Sequence, residues 1–254
     1  MDILVERTAD VLTIAFNRPD KKNAITAAMY QTMADALVQA HADASVRAIV
    51  IRGSVGIFSA GNDLEDFLNK PAVSEDAPVS QFLRAISTAE KPVVASVAGA
   101  AIGVGTTLLL HCDLVYAADT AMFSMPFSQL GLCPEAASSL LLQRVAGYQA
   151  AAEKLMLGEA FDAKEAQRMG FVNRVLPAAE VDAFAMKQAQ KLAALPASSL
   201  RVTKQLMKRA TQHELRTQMT DEAVHFAKML LAPEAKEAFK AFFEKRKPDF
   251  RQFD

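Results

Sequence analysis

Apolar and polar residues recur with two different periods along this chain, and the change of period divides it. Ile3 to Arg7 and Val11 to Phe16 are short runs rich in β-branched residues, the pattern of a hairpin, and Asn17-Arg18-Pro19-Asp20 supplies turn chemistry after them. Thr26 then suits a helix N-cap, and Met29, Met33, Ala36, Leu37 and Ala40 follow at helical spacing, which predicts a helix whose methionines face the core. Arg47 to Arg52 returns to strand. An order of strand, short second strand, turn and helix recurs at Val46 to Phe67, Lys91 to His111 and Asp113 to Arg144, too irregularly spaced for a solenoid. Asn69 to Pro78, rich in Pro, Ser and acidic residues, reads as a mobile surface segment. From Ala178 onward the period is helical throughout, with Pro196 and Pro233 marking helix starts and Leu200, Leu206 and Met207 at helical spacing. The predicted layout is an α/β core over residues 1–195 and a helical region over 196–254 that packs on the core or on a neighbouring subunit. Phe239, Phe242 and Phe243 read as exposed apolar side chains there, which favours oligomerisation.

Pro92 to Cys112 contains no Asp, Glu, Lys or Arg and is long enough to span a bilayer. It opens with the β-branched run Val93, Val94, Ser96, Val97 and is then broken by Gly99, Gly103 and Gly105, so a buried strand, turn and buried helix is the better reading and no membrane partner is expected. Charge removes another class of partner. With 28 basic and 29 acidic residues, no Trp and no basic block, the chain lacks the footprint of a nucleic-acid binder. Two cysteines, Cys112 and Cys133, in 254 residues read as reduced thiols of a cytoplasmic protein, and the charged start MDILVERTAD is no signal peptide. The four histidines form no short ligand pair, so no metal is expected.

The ten glycines are the more informative count, because six of them fall between Gly53 and Gly105. They frame two loops, Phe58-Ser59-Ala60-Gly61-Asn62-Asp63-Leu64 and Gly99-Ala100-Ala101-Ile102-Gly103-Val104-Gly105, each following an apolar strand and preceding a helix. A backbone N–H at such a junction has no intrahelical partner and can face a developing negative oxygen, although each loop taken alone also fits ordinary strand-to-helix turn chemistry. A G-x-S-x-G nucleophile turn is lacking, and the dinucleotide-like start at Gly103-Val104-Gly105 breaks at Leu108, where a small residue is required.

FSAGNDL at 58–64, with KPVVASVAGAAIGVGTTLLLHCDLVYAADTAMFSMPFSQLGLCPE from Lys91 to Glu135, resembles the crotonase, or enoyl-CoA hydratase/isomerase, superfamily. The likeness runs from the N-terminal hairpin through GEAFDAKEAQRMGFVNRV to FFEKRKPDF near the C-terminus. It implies a crotonase-like spiral of ββα units with a C-terminal helical trimerisation region, an acyl-CoA substrate, no further cofactor, a role in fatty-acid β-oxidation, and a homotrimer or dimer of trimers. It also implies that the N–H groups of Asn62 and Val104 hold an enolate oxygen. Ala60, Gly61, Asp63 and Leu64 then line the CoA arm, Lys22, Asn23 and Ala24 lie near its pantetheine and adenine, and Gly103, Phe127 and Leu130 complete the substrate contacts. Asp63 as a helix cap, Lys22 as a solvated turn residue, and Lys245, Arg246 and Lys247 as a basic helix end, in place of contacts to CoA phosphates, are the alternatives.

The positions of the two hydratase glutamates are occupied here by Thr107 and Phe127, neither of which is a carboxylate. Glu135, in PFSQLGLCPEAASS, stands where the resemblance places the single glutamate of the Δ3,Δ2-enoyl-CoA isomerase branch. One carboxylate suffices for a 1,3-proton shift, whereas water addition needs one group to activate water and another to deliver a proton. Apolar neighbours Phe127, Leu130 and Leu132 are expected to strengthen it as a base by desolvation. Read from the residues alone, Glu135 is an N-cap-region acid stabilising a helix that starts near Ala136. Ring-opening or dienoyl-CoA isomerisation, weak hydration, and acyl-CoA binding without catalysis are the competing functions.

Overall fold

The short β-branched runs pair into two sheets, and the connection between the sheets repeats. In the computed structural model, which describes residues 1–54, 56–69, 74 and 76–253, strands β1 (Ile3–Thr8) and β2 (Val11–Phe16) form the antiparallel hairpin, with Ile3 opposite Phe16. Helix α1 (Ala27–Ala42) starts where the sequence places it, Thr26 Oγ1 accepting the Met29 N–H at 3.3 Å, and buries Met29, Met33, Leu37 and Ala40. Three strand pairs follow: β3 (Ala48–Arg52) and β4 (Gly56–Ser59), β5 (Val93–Val97) and β6 (Gly99–Ile102), β7 (Leu114–Ala118) and β8 (Met122–Ser124). The first strand of each pair joins a six-stranded sheet of order β1-β2-β3-β5-β7-β10, where β10 is Arg174–Leu176, and the second joins a four-stranded sheet of order β4-β6-β8-β9, where β9 is Phe161–Asp162. Strands β3 and β5 are parallel, and β5 is buried along its whole length, which explains why it reads as a run of apolar residues without alternation.

Helices close the strand pairs: α2 (Leu64–Asn69) after β4, then α3 (Pro78–Ser87), which packs on α1, and α4 (Val104–Thr107) after β6, prolonged by a 3-10 turn over Leu108–His111. After β8 come α5 (Ser138–Ala146), α6 (Tyr148–Ala152) and α7 (Ala163–Met169), and α8 (Val181–Ala193) lies across β3, β5 and β7. The uncharged stretch from Pro92 to Cys112 is therefore two strands and a short helix, and no helix among the described residues is long and apolar enough to cross a membrane. Of the stretch Asn69 to Pro78, read above as a mobile surface segment, residues 70–73 and 75 lie outside the described residues.

Helices α9 (Ala197–Arg209), α10 (Gln212–Leu230) and α11 (Pro233–Phe243) follow, α9 starting after Pro196 and α11 at Pro233 as the sequence indicates. Two anchors tie them to the sheets. Lys204 of α9 is 7% exposed, and its ammonium donates to Asp113 Oδ2 at 2.6 Å and to the Lys91 carbonyl at 2.8 Å, beside the start of β5. On α11, Phe239 is 2% exposed and faces inward with Ala235 and Ala238, which corrects the expectation that it is exposed; Phe242 and Phe243 do point outward. The inward face meets the turn at Ser128–Leu130, so the last helix leans on the loop that carries the candidate base.

Removing one partner of a sequestered ion pair leaves the other charge poorly solvated. Lys204→Met is expected to lower stability by about 1–3 kcal/mol, measured by urea denaturation, less than a fully buried pair because Asp113 keeps some solvent access and its bond to the Val93 N–H.

Candidate active site

Strands β4, β6 and β8 pair in parallel, so the loops that leave their C-terminal ends emerge at one edge of the small sheet. The first loop carries Asn62. Ile25 forms an isolated parallel bridge with it, in which the Ile25 N–H donates to the Gly61 carbonyl at 2.8 Å and the Ile25 carbonyl accepts from Asp63 at 3.0 Å. Both bonds are made by the flanking residues, which turns the N–H of Asn62 away from Ile25. Gly61 lies at φ +85°, and a Cβ on it would stand 2.8 Å from the Ile102 carbonyl oxygen, so only glycine lets this loop rest directly on the second. There Gly103 (φ 55°, ψ −122°) makes the turn and donates its N–H to the Ser124 carbonyl at 2.9 Å, leaving Val104 as the first residue of α4 with an N–H that no helix carbonyl can reach. The backbone N–H groups of Asn62 and Val104 thus lie on two abutting segments of chain.

The third loop, after β8, brings Glu135 to the same edge. Its Oε1 accepts the hydroxyl of Thr107, the last residue of α4, at 2.5 Å. Thr107 is therefore a positioning partner of the glutamate, and among the described residues Oε2 is the carboxylate oxygen left uncommitted. Burial pushes the Glu135 carboxyl up to about 7, against the pull of the Thr107 hydrogen bond and with help from the charge of Glu222 on α10. Phe127 and Leu132 are both buried in the core, whereas Leu130 lines a hollow of about 490 Å³ against α11, with Phe242 and Lys247.

Tyr30 of α1 was not legible as part of this group; its position beside Met29 marks it only as core. Its hydroxyl donates to Asn62 Oδ1 at 2.5 Å, and burial, then the nearby charge of Glu135, raise its pKa well above the ordinary value, so the phenol stays a donor. The one signal that could have flagged it is that a buried tyrosine requires a hydrogen-bond partner. His111, held neutral by burial with its pKa pushed down to about 4, meets the Ala136 carbonyl through Nε2 at 2.8 Å. A carbonyl only accepts, so Nε2 carries the proton.

Several sequence expectations are corrected by the geometry. Helix α5 begins at Ser138, after Ala136 and Ala137 in left-handed backbone, so Glu135 does not cap it; Glu222 bonds that helix end instead, accepting from the N–H groups of Ala137 and Ser139. Asn23 is fully buried, its amide donating to Ser54 Oγ and the Phe58 carbonyl and its oxygen accepting from the Arg18 N–H, so this side chain braces the loop and does not face a ligand. Asp63 pairs with Arg18 at 2.7 Å and accepts the Asp66 N–H, the capping role weighed against ligand contact. Burial raises its pKa, but the Arg18 bond and backbone donors bring it below the ordinary value. Lys22, Ala24, Ala60, Gly61 and Leu64 are brought together, since Ala60 donates to the Lys22 carbonyl at 3.0 Å and the 22–25 segment runs beside the 58–63 loop. Arg246 forms two bonds to Glu237 and one to Glu244, as a residue closing the end of α11 does.

The sequence model of the family described as enoyl-CoA hydratase/isomerase matches residues 6–253. The chain is 36% identical over 252 residues to enoyl-CoA delta isomerase 2 of Rattus norvegicus, covering 97% of this chain and 64% of the rat protein, just under two thirds of that relative's length. It is 33% identical over 251 residues to a probable enoyl-CoA hydratase of Mycobacterium bovis, covering 98% and 97% of the two chains. A crystal structure of an enoyl-CoA hydratase/isomerase from Pseudoalteromonas atlantica shares the fold with a TM-score of 0.94 and 42% identity, over 98% of this chain and 100% of that one.

A carboxyl whose pKa rises from 4.5 to about 7 on folding makes the native state hold a proton that the unfolded chain has released. Stability therefore falls as pH rises between those values, by up to about 3 kcal/mol, and the full penalty stands above pH 7. Glu135→Gln removes it: the variant is expected to melt higher than the wild type at pH 8, with the difference shrinking toward pH 4. His111 acts in the opposite sense, costing stability as pH falls below 6.5, but does so in both proteins and cancels in the difference.

Proposed function

Because this chain belongs to the enoyl-CoA hydratase/isomerase family, whose spiral of strand pairs it shares, we propose that it is a Δ3,Δ2-enoyl-CoA isomerase that moves a C=C bond by a single-base proton shift. The observation that carries this reading is the way the carboxylates are used: Glu135 has an oxygen left uncommitted beside the two candidate donor loops, whereas Asp63 is spent on Arg18 and Glu222 on the Ala137 and Ser139 N–H groups, Thr107 gives its hydroxyl to Glu135, and Phe127 is a buried ring.

The Oε2 oxygen of Glu135 removes a proton from C2 of a 3-enoyl-CoA. Negative charge spreads over the conjugated system to the thioester oxygen, which the N–H groups of Asn62 and Val104 receive; each such donor contributes about 10²- to 10³-fold in rate. The same carboxyl then returns the proton to C4. A pKa of about 7 suits both halves, since the anion is a stronger base than an ordinary glutamate and the acid still gives its proton back near neutral pH. Lys22, Ala24, Ala60, Gly61 and Leu64 line the CoA arm, with Gly103 and Phe127 toward the acyl end. Exposed Leu206, Met207, Val224, Phe242 and Phe243 on α9, α10 and α11 support assembly into a trimer or a dimer of trimers, and two free thiols support a cytoplasmic setting.

The test is a panel of 3-enoyl-CoA, 2-enoyl-CoA and epoxide-bearing acyl-CoA substrates with product identification. Isomerisation without hydration is expected, rising with pH through about 7, and Glu135→Gln is expected to lose about 10²- to 10⁴-fold in kcat. Full turnover in that variant defeats the assignment. Tight acyl-CoA binding with no deuterium entry at C2 points to a non-catalytic binder.

A further inference from the structure

We infer that Glu222, a buried carboxylate on α10, is a positioning residue for Glu135: it pins the left-handed corner that carries the base and keeps a second negative charge behind it. The inference rests on the reading of Glu135 as the base.

Immediately after Glu135 the chain passes through two successive alanines with positive φ, Ala136 at 59° and Ala137 at 55°. Alanine enters this region only against a steric penalty, so the corner persists because its surroundings hold it. His111 holds one side through the Ala136 carbonyl. Glu222 holds the other: Oε2 accepts the Ala137 N–H at 2.5 Å, Oε1 accepts the Ser139 N–H at 3.1 Å and the Ser139 hydroxyl, and Gln218 Nε2 donates to that hydroxyl at 2.9 Å. Helix α5 has no side-chain cap of its own, so a residue 85 positions away supplies its first acceptors.

A neutral acceptor serves a helix end nearly as well as a charged one. What distinguishes Glu222 is its charge, set 5% exposed behind a second buried carboxyl. Its donors are backbone N–H groups and one hydroxyl, and no cation pairs with it among the described residues. The groups that face the two carboxyls are Tyr30 from α1, Thr107 from α4, His111 from the 3-10 turn through Ala136, Cys133 from the same loop, and Ser139 and Gln218 around Glu222. All are neutral at pH 7: burial raises both the Tyr30 phenol and the Cys133 thiol, the latter to about 11, and lowers His111. Little therefore screens the repulsion between Glu222 and Glu135, which favours the protonated base and so strengthens the anion when it forms.

Glu222→Gln keeps one acceptor oxygen and removes the charge. The midpoint of the Glu135 carboxyl titration, followed by 13C NMR on the free protein, and the acid limb of kcat/KM on a 3-enoyl-CoA are expected to move together to lower pH by about half a unit or more. At pH 8 kcat is expected to fall about tenfold with KM changed less than about twofold. Glu222→Asp retains the charge at shorter reach, so its midpoint stays near that of the wild type while kcat still falls. A folded Glu222→Gln protein with a lowered Tm and an unmoved midpoint overturns the inference and leaves Glu222 as a helix cap. If Glu222→Gln does not fold, wild-type kcat in Glu222→Asp overturns it. Full turnover in Glu135→Gln defeats the base assignment separately, because the NMR titration needs no turnover.

Discussion

The parallel pairing of β4, β6 and β8 is the constraint from which the candidate site follows. Parallel neighbours end at the same edge, and here each is followed by a loop that carries one candidate group: Asn62, Val104 and Glu135. The pairing alone brings the loops near one another; contact is set at atomic scale by residues without side-chain bulk. Gly61 rests on the Ile102 carbonyl, and Gly105 lies where a Cβ would come within 2.9 Å of the Ser59 carbonyl. Thr106 completes the join, its hydroxyl donating to the carbonyl of Ala101 on β6 at 2.5 Å and lying 3.1 Å from that of Ser124 on β8. Donor geometry is therefore a property of backbone packing, which changes little as substrate enters, and such preorganisation is what makes hydrogen-bond donors effective toward a developing charge.

The candidate base, Glu135, is held in a different way. Its loop contains the consecutive left-handed alanines and depends on His111 from the core and Glu222 from the C-terminal helices, while α11 supports the turn upstream through Phe239 and its neighbours. The helical region after residue 195 is thus not merely an appendage. Its side chains reach into the support of the Glu135 loop, and a change in how those helices pack is transmitted to that loop through hydrogen bonds. A buried carboxyl without a cation is an unfavourable element of the fold, and the same desolvation that weakens stability gives the group its basicity.

Sequence patterns read well where a period or a local rule governs. The hairpin, the Thr26 cap, the buried β5 and the helix starts marked by Pro196 and Pro233 all rest on contacts within a few residues, and all stand where the sequence placed them. The glycine cluster pointed to the two loops that rest on one another because close backbone approach excludes a Cβ whatever the partner is. What local rules missed is long-range. Glu135 has the local look of a helix-opening acid, but the helix takes its acceptors from Glu222, and the two successive αL alanines are invisible to propensity. The resemblance sets Asn23 near the CoA arm, whereas its side chain is a buried brace because Ser54 and the 57–58 backbone fold over it. Phe239 is part of a Phe-rich helix whose inward face can be told only once α11 meets the Ser128–Leu130 turn.

On the proposed reading, the hydrogen bond from Thr107 does more than orient Glu135. It occupies Oε1, so the oxygen that accepts the substrate proton is also the one that returns it, and the carboxyl need not rotate between the two halves of the reaction. Return from a fixed oxygen constrains the proton to the face of the dienolate it left. A second carboxylate at position 107 would bring a competing acceptor to that spot and could activate water; threonine there supplies a donor to the base and no base of its own. The side chain at 107 thus converts the place of a hydratase glutamate into support for a single-base site, a division of roles that the residue types permit and the local hydrogen bonding favours.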